Sequence, residues 1–249
     1  MLTREQLRHI HGPKLPLHIL ELDYIQSLIL KEMFKNIDTV VFKGGTCLRM
    51  TLGLNRFSED LDFNLISKDY KKILEISVLG LKKARIESRL GKVKEIKGSY
   101  LTTLRYRGPL YDNSPVSEGS LRIDLSSRKT YQEPVWSPVL SPYADAGTFN
   151  IKSMAPEEIL AEKFRALEQR RKPRDLYDTW FLLRKGQCPS DEMIGRKLEE
   201  TGSSPRSLED IIQHYPIEEN EWSRDLKNLI EAVPDLETIK NDIISILSE

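Results

Sequence analysis

The fold of this chain follows from residues 39–65, TVVFKGGTCLRMTLGLNRFSEDLDFNL. The apolar run at 39–42 predicts a buried strand that ends at Gly44 and Gly45, and residues 46–52 predict a short helix closed by Gly53. Polar and apolar residues then alternate from Asp60 to Leu65, which is typical of a half-buried strand. The stretch therefore predicts a strand, a glycine turn, a helix and a second strand.

Asp60 and Asp62 carry the strongest chemical signal. Residues two apart in a strand project from one face, so the two carboxylates lie together while Leu61 and Phe63 face the core. Carboxylates crowded on one face repel each other unless a cation lies between them. Hard oxygen ligands of this kind suit Mg²⁺ or Mn²⁺ bound to a triphosphate. An ordinary solvated strand face has the same pattern, so the interpretation depends on the residues around the pair.

The glycine turn that precedes the two acids predicts a phosphate site. Glycines allow the backbone to approach a phosphate closely, and the N–H groups at the start of the following helix suit an anion. The same glycines also fit a plain strand-to-helix turn. The candidate nucleotide-binding residues in and around this turn are Lys43, Gly44, Gly45, Thr46, Arg56 and Ser58.

Asp124 is the candidate for a third metal-binding acid. It alternates with Ile123 and Leu125, so it lies on the polar face of its own predicted strand. If that strand pairs beside Asp60 and Asp62, three carboxylates surround two ions, which is an arrangement that activates an attacking hydroxyl and stabilises the leaving pyrophosphate. An ordinary solvated aspartate is the alternative.

Lys163 is the most informative residue in the second half of the chain. Apolar residues three and four positions before and after it place its side chain on the apolar stripe of a predicted helix, where an unpaired ammonium is costly. It needs an acidic partner, a path to solvent or a phosphate. Asp175, in the basic segment 170–178, fits either an active-site acid or a first-turn helix residue. A second basic run, residues 82–97, fits either an RNA-backbone surface or a solvated helix face.

Length and composition allow one large domain or two small ones. The 249 residues include 38 basic and 38 acidic side chains, so no global field attracts nucleic acid and any RNA surface must be a local basic patch. Strand and helix signals mix in the first part of the chain, and helical spacing dominates afterwards. We expect an α/β (α+β) core with an N-terminal helix at residues 1–152. A helical domain that completes the active site is expected at residues 153–249.

The cysteines and the apolar runs indicate the cellular compartment of the protein. Cys47 and Cys188 lie far apart without metal-ligand spacing, which fits a reducing cytoplasm. The N-terminus is charged where a secretory segment would be apolar, and the longest apolar runs are too short to span a bilayer. We therefore expect a cytoplasmic protein with no membrane partner. The histidines lie in no nucleophile-base context, so the sequence gives no support to Ser-His hydrolase chemistry.

Four segments together resemble the AbiEii/AbiGii-type toxins, nucleotidyltransferases of abortive-infection and type IV toxin–antitoxin systems. They are residues 42–49 (FKGGTCLR), 56–63 (RFSEDLDF), 157–163 (EEILAEK) and 174–178 (RDLYD). The likeness runs in order from about residue 15 to about residue 185.

The resemblance implies a polymerase-β-like nucleotidyltransferase core with a mixed sheet, followed by a C-terminal helical region. It implies that Asp60 and Asp62 are catalytic metal ligands, that Lys163 contacts the triphosphate and that Asp175 is a further catalytic acid. It also implies transfer of a nucleotide from an NTP to an RNA acceptor, the 3′ end of tRNA, and a cognate antitoxin partner. Transfer to a protein or a small molecule, or a non-catalytic NTP-binding sensor, are the alternatives.

Overall fold

The computed structural model describes residues 1–202 and 208–248. The chain divides into two compact units, Met1–Met154 and Ala155–Glu249. The boundary expected from the sequence, after residue 152, falls inside the last strand of the first unit.

The first unit is built on a mixed sheet. Its helices and strands are, in chain order, α1 (Arg4–His11), α2 (Leu17–Asn36), β1 (Val40–Lys43), α3 (Gly44–Leu52), β2 (Asp60–Leu65), α4 (Tyr70–Lys83), β3 (Glu87–Leu90), β4 (Lys94–Ile96), β5 (Ser99–Arg107), β6 (Gly119–Ser126), β7 (Val135–Leu140) and β8 (Thr148–Ser153). The strand order is β3-β5-β6-β2-β1-β8-β7, with β4 paired to β5. The β2–β6 and β1–β8 pairs are parallel and the other pairs are antiparallel. The α/β prediction with a mixed sheet is confirmed.

One face of this sheet is apolar and packs against helices. In β2, Leu61 and Phe63 are fully buried, and the Phe34 ring of α2 lies with its centroid 6.5 Å from that of Phe63. The alternate residues of β2 point to the other face, because side chains alternate along a strand. The strand that carries the acid pair is therefore anchored by its apolar side chains.

Helix α2 also buries polar side chains that fasten it to other parts of the unit. Glu21 accepts a hydrogen bond from the backbone N–H of Leu110 at 2.7 Å. Burial raises the pKa of Glu21 to about 6, although this N–H and the Tyr106 hydroxyl both favour the charged form. Ionisation of Glu21 therefore destabilises the folded protein.

The basic run at residues 82–97 is not a helix face, so that interpretation is wrong. Helix α4 ends at Lys83, and Arg85 takes a positive φ of 58° that a helix cannot continue. The rest of the run forms β3 and β4. Lys97 and Gly98, both with positive φ, make the two-residue connection of the β4–β5 hairpin.

The second unit is helical, as the sequence predicts. It contains α5 (Pro156–Gln169), α6 (Pro173–Arg184), α7 (Asp191–Glu199), α8 (Leu208–Gln213), α9 (Glu219–Leu226) and α10 (Leu236–Ser248). Trp222 is fully buried, and its indole N–H donates to the Pro234 carbonyl at 2.7 Å. No helix in the described part of the chain is long and apolar enough to cross a membrane.

The two cysteines have opposite environments. Cys47 lies in α3 and is fully buried, and burial raises the pKa of its thiol to about 12. Cys188 lies in the second unit and is exposed. Both are free thiols.

Candidate active site

The carboxylates of Asp60 and Asp62 share the polar face of β2, and both are half-buried. The parallel β2–β6 register pairs Asp62 with Asp124 and Asp60 with Arg122. Neighbouring strands are about 4.8 Å apart, so Asp124 lies directly beside Asp62 on the same face. The structure thus brings together the three acids that the sequence singles out, with Arg122 next to them.

The start of α3 adjoins Asp62. Gly44 has a φ of 77°, in the left-handed region that favours glycine, and a Cβ on it would overlap the Asp62 carboxylate. The side chain of Lys43, the residue before α3, makes no capping hydrogen bond to this helix. In the β1–β2 register, Lys43 stands opposite Asp62, and its side chain is buried. The Asp62 carboxylate thus adjoins the N-terminal end of a helix, with Lys43 opposite it in the register, and such a helix end suits a phosphate.

Gly45 makes room for two side chains that the sequence marks as phosphate ligands. A Cβ on Gly45 would run into the Arg56 guanidinium and would come within 3.1 Å of the Ser58 hydroxyl oxygen. Arg56 is only 1% exposed, and its Nη1 donates to the Phe57 carbonyl at 2.9 Å. Ser58 is therefore brought to the glycine turn, while Arg56 lies against the same turn as a buried group.

The coil between α3 and β2 is fixed by hydrogen bonds to its backbone carbonyls. Besides the Arg56 contact, Gln26 of α2 donates to the Ser58 carbonyl at 3.0 Å. The Thr46 hydroxyl donates to the Asp60 carbonyl at 2.6 Å, so this hydroxyl links α3 to the first residue of β2, where the coil ends. Gln26 is a residue of this site that the sequence did not single out. Its one signal is that it is a polar residue within a long, mostly apolar helix.

The donor set of Asp60, Asp62 and Asp124 fits a divalent cation. Magnesium takes oxygen ligands and is usually held by one or two carboxylates together with substrate phosphates and water. Within residues 1–202 and 208–248, no group of three or more acidic, histidine or cysteine side chains forms a ready-made metal site. These carboxylates therefore fit a divalent ion that binds at the face of Asp60 and Asp62 and takes its remaining ligands from nucleotide oxygens.

The polar face of the sheet continues from the acids into a row of arginines. Arg122 of β6 lies beside Asp60, and Arg105 of β5 pairs in register with Arg89 of β3. Arg105 stands opposite Ser120, two residues along β6 from Arg122, so the three side chains step across neighbouring strands. All three are exposed; Arg89 pairs with Glu118, and Arg122 lies 3.7 Å from Asp124. We call Arg89, Arg105 and Arg122 the arginine row.

The second unit contains a buried ion cluster around Lys163. The Lys163 ammonium lies 2.9 Å from Asp175 and 2.6 Å from Asp178, and both carboxylates are fully buried. Arg170 donates to both oxygens of Asp175 at 2.7 and 2.8 Å. Burial alone would raise the pKa of Asp175, but Lys163 and Arg170 hold it well below its usual value.

This cluster gives Lys163 the acidic partners that its apolar stripe requires. Asp175 was singled out from the sequence as a site residue, and Asp178 was not. The spacing carried a signal, because Asp178 lies three residues after Asp175 and so shares its face of α6. The contact of Lys163 with a triphosphate stays a prediction.

A family model and several solved structures match this chain. A family model described as "Nucleotidyl transferase AbiEii toxin, Type IV TA system" matches residues 30–242. MenT4, a nucleotidyltransferase toxin from Mycobacterium tuberculosis H37Rv, has a similar structure with a TM-score of 0.75 and 18% identity, covering 100% of this chain and 89% of that chain. JHP933 from Helicobacter pylori has a TM-score of 0.60 and 22% identity, covering 94% of this chain and 92% of that chain. No curated protein sequence matches. The likeness to these structures confirms the predicted nucleotidyltransferase fold.

Proposed function

This chain belongs to the AbiEii family of nucleotidyltransferase toxins of type IV toxin–antitoxin systems, and we propose that it transfers a nucleoside monophosphate from an NTP to RNA, at the 3′ end of tRNA, with Mg²⁺ or Mn²⁺. The family assignment makes an NTP its substrate and an antitoxin its partner. The acceptor, the metal and the roles of individual residues are our proposals.

The observation that carries the metal-dependent mechanism is the placement of Asp62 against Gly44. The Asp62 carboxylate lies against the N-terminal end of α3, where backbone N–H groups suit phosphate oxygens, and Asp60 shares its face of β2. Divalent ions held by these acids, with Asp124 beside them, would offset the negative charge of the triphosphate. The N–H groups of Gly44 and Gly45 would then orient the phosphates.

In the proposed reaction, the hydroxyl oxygen of the acceptor attacks the α-phosphorus in line with the leaving group. A new oxygen–phosphorus bond forms, and the bond from the α-phosphorus to the bridging oxygen breaks. Pyrophosphate leaves with that electron pair, and the hydroxyl proton passes to solvent. Ser58 and Lys43 bind the phosphates during this step.

The arginine row favours RNA over a protein or a small-molecule acceptor. It begins at Arg122, next to Asp60, and extends over three strands of an exposed face. Phosphate contacts from arginine side chains supply most of the affinity of nucleic-acid binding. A small-molecule acceptor would need no such row of arginines.

The first test is incubation of the purified chain with each labelled NTP and Mg²⁺ in the presence of tRNA, a protein mixture or small molecules. We expect label on tRNA, and a loss of at least about 100-fold when Asp62→Asn removes a metal ligand. Asp38→Asn is the control, because Asp38 is an exposed acid just before β1.

The other outcomes decide between the alternatives. Label on protein or on a small molecule would show that the RNA acceptor is wrong. Binding of NTP without release of pyrophosphate would favour the sensor. Full activity of Asp62→Asn would refute the metal assignment.

A further inference from the structure

The side chain of Phe57 lies in the middle of the coil that leads into β2. Phe57 is 5% exposed, and its neighbours in sequence are Arg56 and Ser58, both at the glycine turn. The carbonyls of Phe57, Ser58 and Asp60 are each held by a side-chain donor. The buried Phe57 ring is a further anchor of this coil.

Arg49 of α3 holds one side of that ring. Its guanidinium carbon lies 3.4 Å from the centroid of the Phe57 ring, which is a stacked cation–π contact. The guanidinium is oriented by Asp23 of α2, because Arg49 Nε donates to Asp23 Oδ1 at 2.7 Å. The side chains of Arg49 and Asp23 are 17% and 4% exposed, so solvent weakens this pair little.

Asp23 is fixed in turn by a chain of hydrogen bonds that returns to the same ring. The Tyr143 hydroxyl donates to Asp23 Oδ2 at 2.7 Å, and His11 Nε2 lies 2.8 Å from the Tyr143 oxygen. Since the tyrosine proton goes to Asp23, His11 Nε2 carries a proton and donates to Tyr143. The His11 ring meets Phe57 edge-on, with centroids 5.4 Å apart. Phe57 is thus contacted by two groups that the same chain of hydrogen bonds connects.

We propose that Arg49 is a positioning residue for nucleotidyl transfer, acting through Phe57 to fix the coil that places Ser58 and Asp60 at the glycine turn. The proposal rests on the function proposed above. An apolar side chain would fill the space beside Phe57, but it would leave the buried Asp23 carboxylate without its cation. A planar guanidinium both stacks on a ring and donates along a fixed direction, which an ammonium does not.

The test compares Arg49→Met, Arg49→Lys, Phe57→Leu and the double variant Arg49→Met/Phe57→Leu in kcat, KM for NTP and Tm. We expect each single change to lower kcat about 10-fold to 100-fold at a temperature where all variants are folded, since displacements of about 1 Å cost that much. Because Arg49 acts through Phe57, the double variant should be no slower than the slower single variant. Arg49→Lys should regain Tm and leave kcat low.

Asp145→Asn is the matched control. Asp145 accepts a hydrogen bond from Tyr24, whose ring packs on Tyr143 in the same aromatic cluster. Loss of this hydrogen bond should lower Tm, while kcat stays within about twofold of the wild-type value, as expected for a contact whose role is structural. If the losses of kcat in Arg49→Met and Phe57→Leu multiply in the double variant, the two residues act independently and the proposal is overturned. So would recovery of kcat by Arg49→Lys together with Tm.

Amide hydrogen exchange separates this proposal from the proposed function. Arg49→Met should speed exchange at residues 56–60 more than Asp145→Asn does, whether or not an acceptor has been identified. If the wild-type protein labels no acceptor, the proposed function fails, and the exchange measurement still decides whether Arg49 fixes the coil. Unchanged exchange at residues 56–60 would refute the positioning role even in an active enzyme.

Discussion

Gly44 and Gly53 have nearly the same backbone conformation and very different surroundings. Their φ angles are 77° and 75°, so an alanine at either position pays about 1–2 kcal/mol for the left-handed region. A Cβ on Gly44 would overlap the Asp62 carboxylate, whereas a Cβ on Gly53 would have no heavy atom within 4 Å among its described neighbours. The pair therefore separates backbone strain from displacement of the acid.

We expect Gly53→Ala to lower the free energy of unfolding by about 1–2 kcal/mol and to leave nucleotide transfer per folded molecule unchanged. Gly44→Ala should show at least that loss of stability and also a transfer rate lower by about 100-fold, because Asp62 must move. Urea unfolding and transfer of labelled nucleotide measure the two effects. Equal transfer rates in the two variants would show that the contact of Gly44 with Asp62 has no part in the reaction.

At the scale of single elements, Glu21 makes the attachment of α2 depend on pH. Its pKa of about 6 in the folded protein lies above the ordinary value of 4.5, so folding favours the protonated form. The stability that this group contributes is complete below pH 4.5 and is lost as the pH rises through 6, by on the order of 2 kcal/mol. A protonated carboxyl keeps an oxygen that can accept the hydrogen bond from Leu110.

Glu21→Gln removes this titration while keeping an oxygen acceptor. The variant should be more stable than the wild type at pH 8, by on the order of 1–2 kcal/mol, and the difference should disappear below about pH 4.5. Urea unfolding at a series of pH values measures it. Glu5→Gln, at an exposed position of α1, should show no such trend. A wild-type protein more stable than Glu21→Gln at pH 8 would contradict the pKa.

Helices α5 and α6 are joined by the cluster of Lys163, Asp175 and Asp178. Lys163→Met would leave two buried carboxylates without this ammonium, and we expect a loss of about 3–5 kcal/mol in the free energy of unfolding. Lys185→Met, at an exposed lysine, should change little. Chemical denaturation followed by circular dichroism measures both.

The same variant tests the predicted contact of Lys163 with the triphosphate. At a temperature where Lys163→Met is folded, KM for NTP should rise and kcat should fall if the ammonium reaches the nucleotide. Unchanged kcat and KM in a destabilised variant would show that the ion cluster is structural and that the prediction is wrong.

For the molecule as a whole, zero net charge means that RNA binding depends on local surface charge. If the three arginines of the arginine row each contact one phosphate of a single strand, a plot of log K against log salt should have a slope of about −2. Arg105→Gln should make this slope shallower by about 0.7 and weaken tRNA binding. Arg224→Gln, at an exposed arginine of α9, is the control.

Filter binding of tRNA at increasing KCl measures these slopes, with NTP binding measured in parallel. Affinity for NTP should be the same in Arg105→Gln and in the wild type. A salt slope that Arg105→Gln leaves unchanged would place the RNA elsewhere on the molecule.

Short-range patterns made part of this molecule predictable. The alternation around Asp60 and Asp62 predicts their shared face because the strand period is local, and the turn at Gly44 follows from the same stretch. The helical position of Lys163 showed that it needs a partner. The spacing of Asp178 marks it as a candidate partner. Only the structure shows that the Lys163 ammonium is paired with acids, since the sequence also allowed a path to solvent or a phosphate.

Contacts between distant parts of the chain were not predictable in this way. Gln26 reaches Ser58 across 32 residues, and Asp23 reaches Tyr143 across 120 residues. No periodicity in the sequence encodes such pairings, because they depend on how whole elements pack. For the basic run at residues 82–97, a local pattern was misleading. The charges suggested a solvated helix face, but the positive φ of Arg85 does not allow the helix to continue.

The unequal burial of the two cysteines gives the protein a natural attachment point for chemical probes. A maleimide reacts with an accessible thiolate, which Cys188 can supply and which Cys47, buried and with its pKa raised to about 12, cannot. A fluorophore or spin label added to the wild-type protein should therefore mark only the helical unit. The acid pair and the glycine turn remain free of the label, and no cysteine has to be removed.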